Sequence, residues 1–116
     1  MKVNRIVANI ATDKVKAAKR FYGEVLGLEL LMDHGWIATY GSRQKMQVQI
    51  SFASEGGSGT PVPDISIEVD DVDAALAAMR RARFKIEYGP ADEPWGVRRF
   101  YVRDPLGRLV NILQHT

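Results

Sequence analysis

The chain has no cysteine and only two histidines, His34 and His115, among its 116 residues. Without thiols there is no disulfide framework and no thiolate metal site. Two histidines leave little room for a histidine-rich metal centre. Long apolar runs are missing, so no segment reads as a membrane span. The opening stretch, Met1 to Ala11, has no signal-peptide core, and a soluble cytoplasmic protein is the expectation. Charge of one sign is almost balanced by the other: 16 basic and 14 acidic residues leave +2, too small an excess to point to nucleic acid. No Lys-Ser or Lys-Thr pair follows Gly56, Gly57 and Gly59, so these do not form a phosphate-cradling loop. No Ser-His-Asp or Cys-His set is visible for nucleophilic catalysis.

What remains is an ordinary globular composition, 46% hydrophobic and 26% charged, in a length that suits one domain with a core of its own. Apolar alternation predicts strands at Val3–Ala11, Leu28–Met32, Trp36–Tyr40 and Met46–Phe52. After a Gly/Ser/Pro-rich linker at 54–63, it predicts strands at Asp64–Val69, Lys85–Tyr88, Val97–Arg103 and Leu109–Gln114. Two segments have helical period. In the first, Val15, Ala18, Tyr22 and Val25 form a stripe, with Thr12 or Asp13 as cap and Gly27 as stop. In the second, Val72, Ala75, Leu76 and Met79 do so, with Asp70 or Asp71 as cap.

The order strand, helix, three strands therefore occurs twice, in half-repeats 1–53 and 64–116. Placing Val15 on Val72 lays Val7 on Asp64, Asn9 on Ser66 and Asp13 on Asp70. Gln49 is placed on Asn111 at a slightly larger shift. The expected fold is α+β: two βαβββ repeats form one domain with a cup-shaped, curved mixed sheet and helices on its convex side.

Three segments carry a family resemblance. They are Arg20-Phe-Tyr-Gly-Glu-Val-Leu-Gly-Leu-Glu29, Ile67-Glu-Val-Asp-Asp-Val-Asp-Ala-Ala-Leu76, and the stretch from Trp95 through Arg103-Asp-Pro-Leu-Gly-Arg108 to Asn111. In this order they resemble the vicinal oxygen chelate superfamily, which includes glyoxalase I, extradiol dioxygenases and bleomycin-resistance proteins. The resemblance implies a fold much more than an activity. In metal-dependent members, four inward-facing positions hold a divalent cation, usually with His or Glu. Here the matching positions are Val7, Gln49, Asp64 and Asn111. Valine has no lone pair to offer, two of the others are neutral amides, and only Asp64 is anionic. That set does not suit Zn, Ni or Fe, so no metal or other cofactor is expected. A one-residue slip of the first strand would offer Ile6 or Ala8, which are no better.

Alternation places Asn9, Gln49, Asp64, Ser66, Glu68, Arg99, Tyr101 and Asn111 on the concave face. It sends Ile10, Ile65, Ile67, Phe100, Val102, Val110 and Ile112 toward the helices. Trp36, Tyr40 and Trp95 join the polar set as aromatic walls, with Phe52 and Tyr101 as further candidates. Trp95 is favoured because it sits in a Gly/Pro-flanked loop. Arg99 is a candidate for an anionic ligand group. The leading expectation is a bleomycin-resistance-like homodimer that binds a small aromatic or anionic molecule without metal or catalysis. The alternative is a lyase or isomerase using Asp64 or Glu68 as base, or a weakly held divalent metal. These two carboxylates are about 13 Å apart along a strand, too far to act as a pair. Binding to RNA, suggested by Gly96-Val-Arg-Arg-Phe-Tyr-Val-Arg103, lacks the glycine that an aromatic RNA-binding strand needs. His34 reads as part of a hairpin turn, and His115 as frayed.

Overall fold

The computed structural model describes residues 1–43 and 49–116. Strands β1 (Val3–Ala11), β2 (Glu29–Asp33), β3 (Ile37–Gly41) and β4 (Gln49–Ala53) belong to the first repeat. Strands β5 (Ile65–Val69), β6 (Ile86–Glu93), β7 (Val97–Arg103) and β8 (Leu109–His115) belong to the second, with helix α1 (Val72–Arg81) between β5 and β6. The class is α+β; the strands of the first repeat are ordered β2-β3-β4-β1 and those of the second β5-β8-β7-β6. In each repeat the first and last strands pair in parallel, and the hairpins pair antiparallel. Contacts group the chain into two units: Val7–Val62, and Pro63–Thr116 together with Met1–Ile6.

The second unit follows the sequence reading closely. Asp71 caps α1, its carboxylate accepting from the Ala74 N–H at 3.0 Å, which satisfies one of the helix's free donors. Val72, Ala75 and Leu76 are buried against Phe100, Val102, Val110 and Ile112, with Ile67 and Met79 packed alongside. Arg80 and Arg81 lie in the last turn, where cations favour the helix dipole. The first residues of the chain are tied to the end of β5. The Lys2 N–H donates to Asp70 Oδ1 at 2.8 Å, and the Asp70 N–H to the Lys2 carbonyl at 3.0 Å.

In the unit Val7–Val62 the helical segment departs from expectation. It is a 3-10 turn, Val15–Ala17, followed by a π-helical stretch, Lys19–Val25. No side chain caps its start; Thr12 Oγ1 instead accepts from the Lys14 N–H at 3.0 Å. Val15 and Ala18 are buried with Ala38, Tyr40 and Phe52, and Tyr22 packs against them. Val25 does not join the stripe and is 71% exposed. The wider π turn closes from Leu26 N–H to the Phe21 carbonyl at 3.1 Å. Its i→i+5 spacing rotates residue 25 off a face calculated at the α-helical period. Gly27 ends the segment at φ +73°, as its position suggested.

Strand ends shift by a residue or two, as pairing rather than composition sets them. The proposed strand at Met46–Phe52 is described only from Gln49 onward; Met46 to Val48 lie outside the described residues. Ile10, expected against the helices, is 45% exposed. The largest difference is β6, which continues to Glu93 through Gly89 and the cis bond to Pro90. Two register shifts interrupt its pairing with β7, one between Ile86 and Tyr88 and one between Tyr88 and Ala91.

Candidate functional site

Each unit carries a polar row across three strands. In Pro63–Thr116 the row is Tyr101, Asn111 and Ser66: Tyr101 pairs with Asn111 and Asn111 with Ser66. The Asn111 Nδ2 donates to Ser66 Oγ at 3.1 Å. In Val7–Val62 the row is Thr39, Ser51 and Asn9, by the same pairings of β3 with β4 and β4 with β1. The Thr39 and Ser51 hydroxyls are 2.7 Å apart and buried. The two registers show that Ser51, not Gln49, holds the place matching Asn111. Sequence reading missed Thr39 and Ser51 because small hydroxyls inside apolar strands look like ordinary strand residues. The signal available was the matching position of Ser66 and Asn111 in the second repeat.

Next to the Tyr101 row lies a buried charged cluster. Arg99 lies two residues before Tyr101 on the same face of β7, and its side chain is 4% exposed. Its guanidinium stands 4.9 Å from the Tyr101 ring centroid, 5.0 Å from Trp95 and 5.4 Å from Tyr88. Its Nη1 donates to the Tyr101 hydroxyl at 3.0 Å. Its Nη2 is 3.6 Å from Glu93 Oε2, and the Tyr88 hydroxyl donates to Glu93 Oε1 at 2.6 Å. Glu93 therefore meets the charge, and three rings surround it. Tyr88 is held protonated above its ordinary range, first by that bond to Glu93 and then by burial. This geometry speaks against Arg99 as a receptor for an anionic ligand.

Glu93 and Tyr88 were missed for a definite reason. Five residues apart, strict alternation would put them on opposite faces. The bulge between Tyr88 and Ala91 adds a residue and brings both onto the face of Arg99. A Cβ on Gly89 would lie 2.7 Å from the Arg99 carbonyl, and Gly89 has φ +80°. Only glycine fits there, and a Gly-Pro pair inside a strand pattern was the available sign of a bulge.

The other expected residues are scattered. Asp64 lies just before β5, exposed. Its Oδ2 accepts from the Leu109 N–H at 3.1 Å, so it fastens the start of β8. Glu68 is clamped between Arg5 Nε at 2.6 Å and His115 Nδ1 at 3.3 Å. Burial raises its carboxyl pKa, but the Arg5 bond and charge, with a smaller part from His115, outweigh this and hold it below the ordinary range. His115 is the last residue of β8 rather than frayed. Trp36 is half-buried and stacks on His34 in the hairpin turn. Tyr40 alternates with Thr39 and lies on the helix side, buried near Phe52. Trp95 is half-buried in the β6–β7 turn, over Arg99. Gln49 begins β4 and Val7 is buried at 5% exposure.

With Ser51 in place of Gln49, the four family metal positions hold a buried valine, a buried serine hydroxyl, the Asn111 amide and an exposed aspartate engaged with backbone, and this donor set does not fit a divalent transition metal. Among the described residues, no three His, Cys, Asp or Glu side chains gather as a metal centre would require. No helix among them is long and apolar enough to cross a membrane.

A family model described as the Glyoxalase/Bleomycin resistance protein/Dioxygenase superfamily matches residues 2–112. No protein of curated function matches the chain in sequence. Among solved structures, a chain described as NAD-dependent benzaldehyde dehydrogenase from Legionella pneumophila superposes with TM-score 0.76 at 14% identity. The match covers 97% of this chain and 100% of that one. A glyoxalase/bleomycin resistance protein/dioxygenase superfamily member from Vibrio splendidus 12B01 gives 0.66 at 15% identity, covering 99% and 100%. Methylmalonyl-CoA epimerase from Mycobacterium tuberculosis gives 0.64 at 16% identity, covering 98% and 87%. At such identities the likeness is one of fold.

Proposed function

The chain belongs to the glyoxalase/bleomycin resistance protein/dioxygenase superfamily, and from that premise we propose that it binds a small molecule on its polar sheet face without a catalytic metal, as a cytoplasmic homodimer. The supporting observation is Asn111. It is 7% exposed, and its Oδ1 has no hydrogen-bond donor among the described residues. A buried acceptor left unanswered is costly and uncommon. A ligand O–H or N–H reaching it, beside the Ser66 and Tyr101 hydroxyls, resolves that cost. Phe21, Val25 and Leu26, each at least 58% exposed, support a homodimer, since a second subunit commonly covers such a patch.

The alternative, a lyase or isomerase, needs a base. A carboxylate whose pKa is lowered, as at Glu68, is a poorer base at neutral pH, and Asp64 already accepts a backbone N–H. The binding reading is therefore preferred. It is tested by metal analysis of the purified protein and by thermal shift with Ni, Zn, Mn and Fe. A panel of planar aromatic and glycopeptide compounds is screened alongside, with amide chemical shifts recorded for bound members. The expected outcome is no stoichiometric metal and a compound that shifts the signals of Ser66, Tyr101 and Asn111. A tightly held metal with large stabilisation overturns the proposal.

A further inference from the structure

We propose that the unit Val7–Val62 holds a second binding site, on the helix side of its strands, for an apolar zwitterion: an amino acid with an aliphatic or aromatic side chain, or a short apolar peptide. A cavity of about 490 Å³ opens between the helical segment and β2–β3, within the roughly 300–1,000 Å³ typical of small-molecule clefts. Its floor is apolar, made by Val15, Leu28, Ala38 and Tyr40, with Leu30 at the side. Tyr40 stands on the opposite face of β3 from the Thr39–Ser51 pair, so this cavity is separate from the polar row of its own unit.

The charged lining selects the ligand. Lys16 and Lys19 project from the helical segment, while Glu24 and Asp33 come from its end and from β2. No salt bridge among the described residues uses any of these four groups. A ligand with only a carboxylate would gain from the lysines but face the two acids. A ligand with only an ammonium meets the converse. A molecule with both charges on an apolar body satisfies both signs and the floor together. Tyr40 adds a donor. Burial first, and the Asp33 charge second, keep its hydroxyl protonated. Gly23 leaves room for this arrangement, because a Cβ there would already stand 3.4 Å from the Tyr40 ring.

The test uses three probes with one body: L-leucine, N-acetyl-L-leucine and L-leucinamide. They are titrated at mildly acidic pH, where leucinamide is fully cationic. Amide and Tyr40 ring shifts are followed in the full chain. Leucine is expected to bind roughly tenfold more tightly than either singly charged analogue, moving signals between Val15 and Tyr40. The double variant Lys16→Glu, Lys19→Glu alters two exposed side chains and so leaves the fold intact. It should lose leucine and gain leucinamide. The inference is overturned if N-acetyl-leucine matches leucine, if leucinamide does so, if no probe binds at millimolar concentration, or if the shifts fall at Ser66 and Asn111 instead. The last result would leave the polar-face proposal standing while removing this one.

Discussion

Replacing Asn111 by leucine should make the unliganded protein more stable, and the size of the effect follows from its surroundings. The asparagine is 7% exposed, donates one bond to Ser66 Oγ at 3.1 Å, and leaves its Oδ1 unanswered among the described residues. One such bond contributes about 0.5–1.5 kcal/mol net, whereas a buried acceptor without a donor costs about 1–3 kcal/mol. Asn111→Leu forfeits the bond but removes the stranded acceptor, and it adds apolar surface beside the buried Tyr101. The balance is a gain of about 1 kcal/mol, or about 4 °C in Tm for a chain of this length. Urea unfolding measures it: the midpoint should rise with the slope unchanged. Asn111→Asp, which places a charge in the same space, should lower the midpoint at neutral pH. A protein that tolerates a destabilising polar group at a site usually does so for function. The refuting result is a loss of more than 1 kcal/mol in Asn111→Leu, for then Asn111 is a satisfied structural residue and the site reading loses its support.

Other outcomes follow from the same geometry. Asp71→Ala removes the α1 cap and should cost about 1 kcal/mol in urea unfolding. Arg99→Ala leaves the buried Glu93 without its guanidinium partner and empties the space among three rings; breaking a buried pair from one side costs about 3–5 kcal/mol, read as a large drop in thermal midpoint. Glu68 has a lowered folded pKa. Its contribution is therefore fully present above its unfolded value and is lost as pH falls through the folded one. Unfolding midpoints taken from neutral to acid pH should show that loss in the wild type and a flatter acid limb in Glu68→Gln.

Much of the fold could be read from the chain. The period-two strands and the capped stripe of α1 are local patterns, set by which side chains must leave water. The assignment of Ser66, Glu68, Arg99, Tyr101 and Asn111 to the sheet face away from α1 rested on the same alternation. It succeeded where strands run without interruption, in β5, β7 and β8. Helical period misplaced Val25, and alternation left Tyr88 and Glu93 out of the site, because a π turn and a β-bulge each insert a residue and change which face follows. Glycine and proline hinted at the bulge, but nothing local fixed its position.

The amino-acid sequence by itself determined the repeat, the α+β class, the family and the poor metal-ligand set, all of which depend on residue types and their order. Only the tertiary structure decided how the charges are used. It buried Arg99 against Glu93 and three rings, turned Asp64 to a backbone N–H, and clamped Glu68 between Arg5 and His115. A side chain's charge is a property of the residue. Whether that charge is free to meet a ligand depends on partners brought together from distant strands, and the register between those strands is set by the packing of the whole unit.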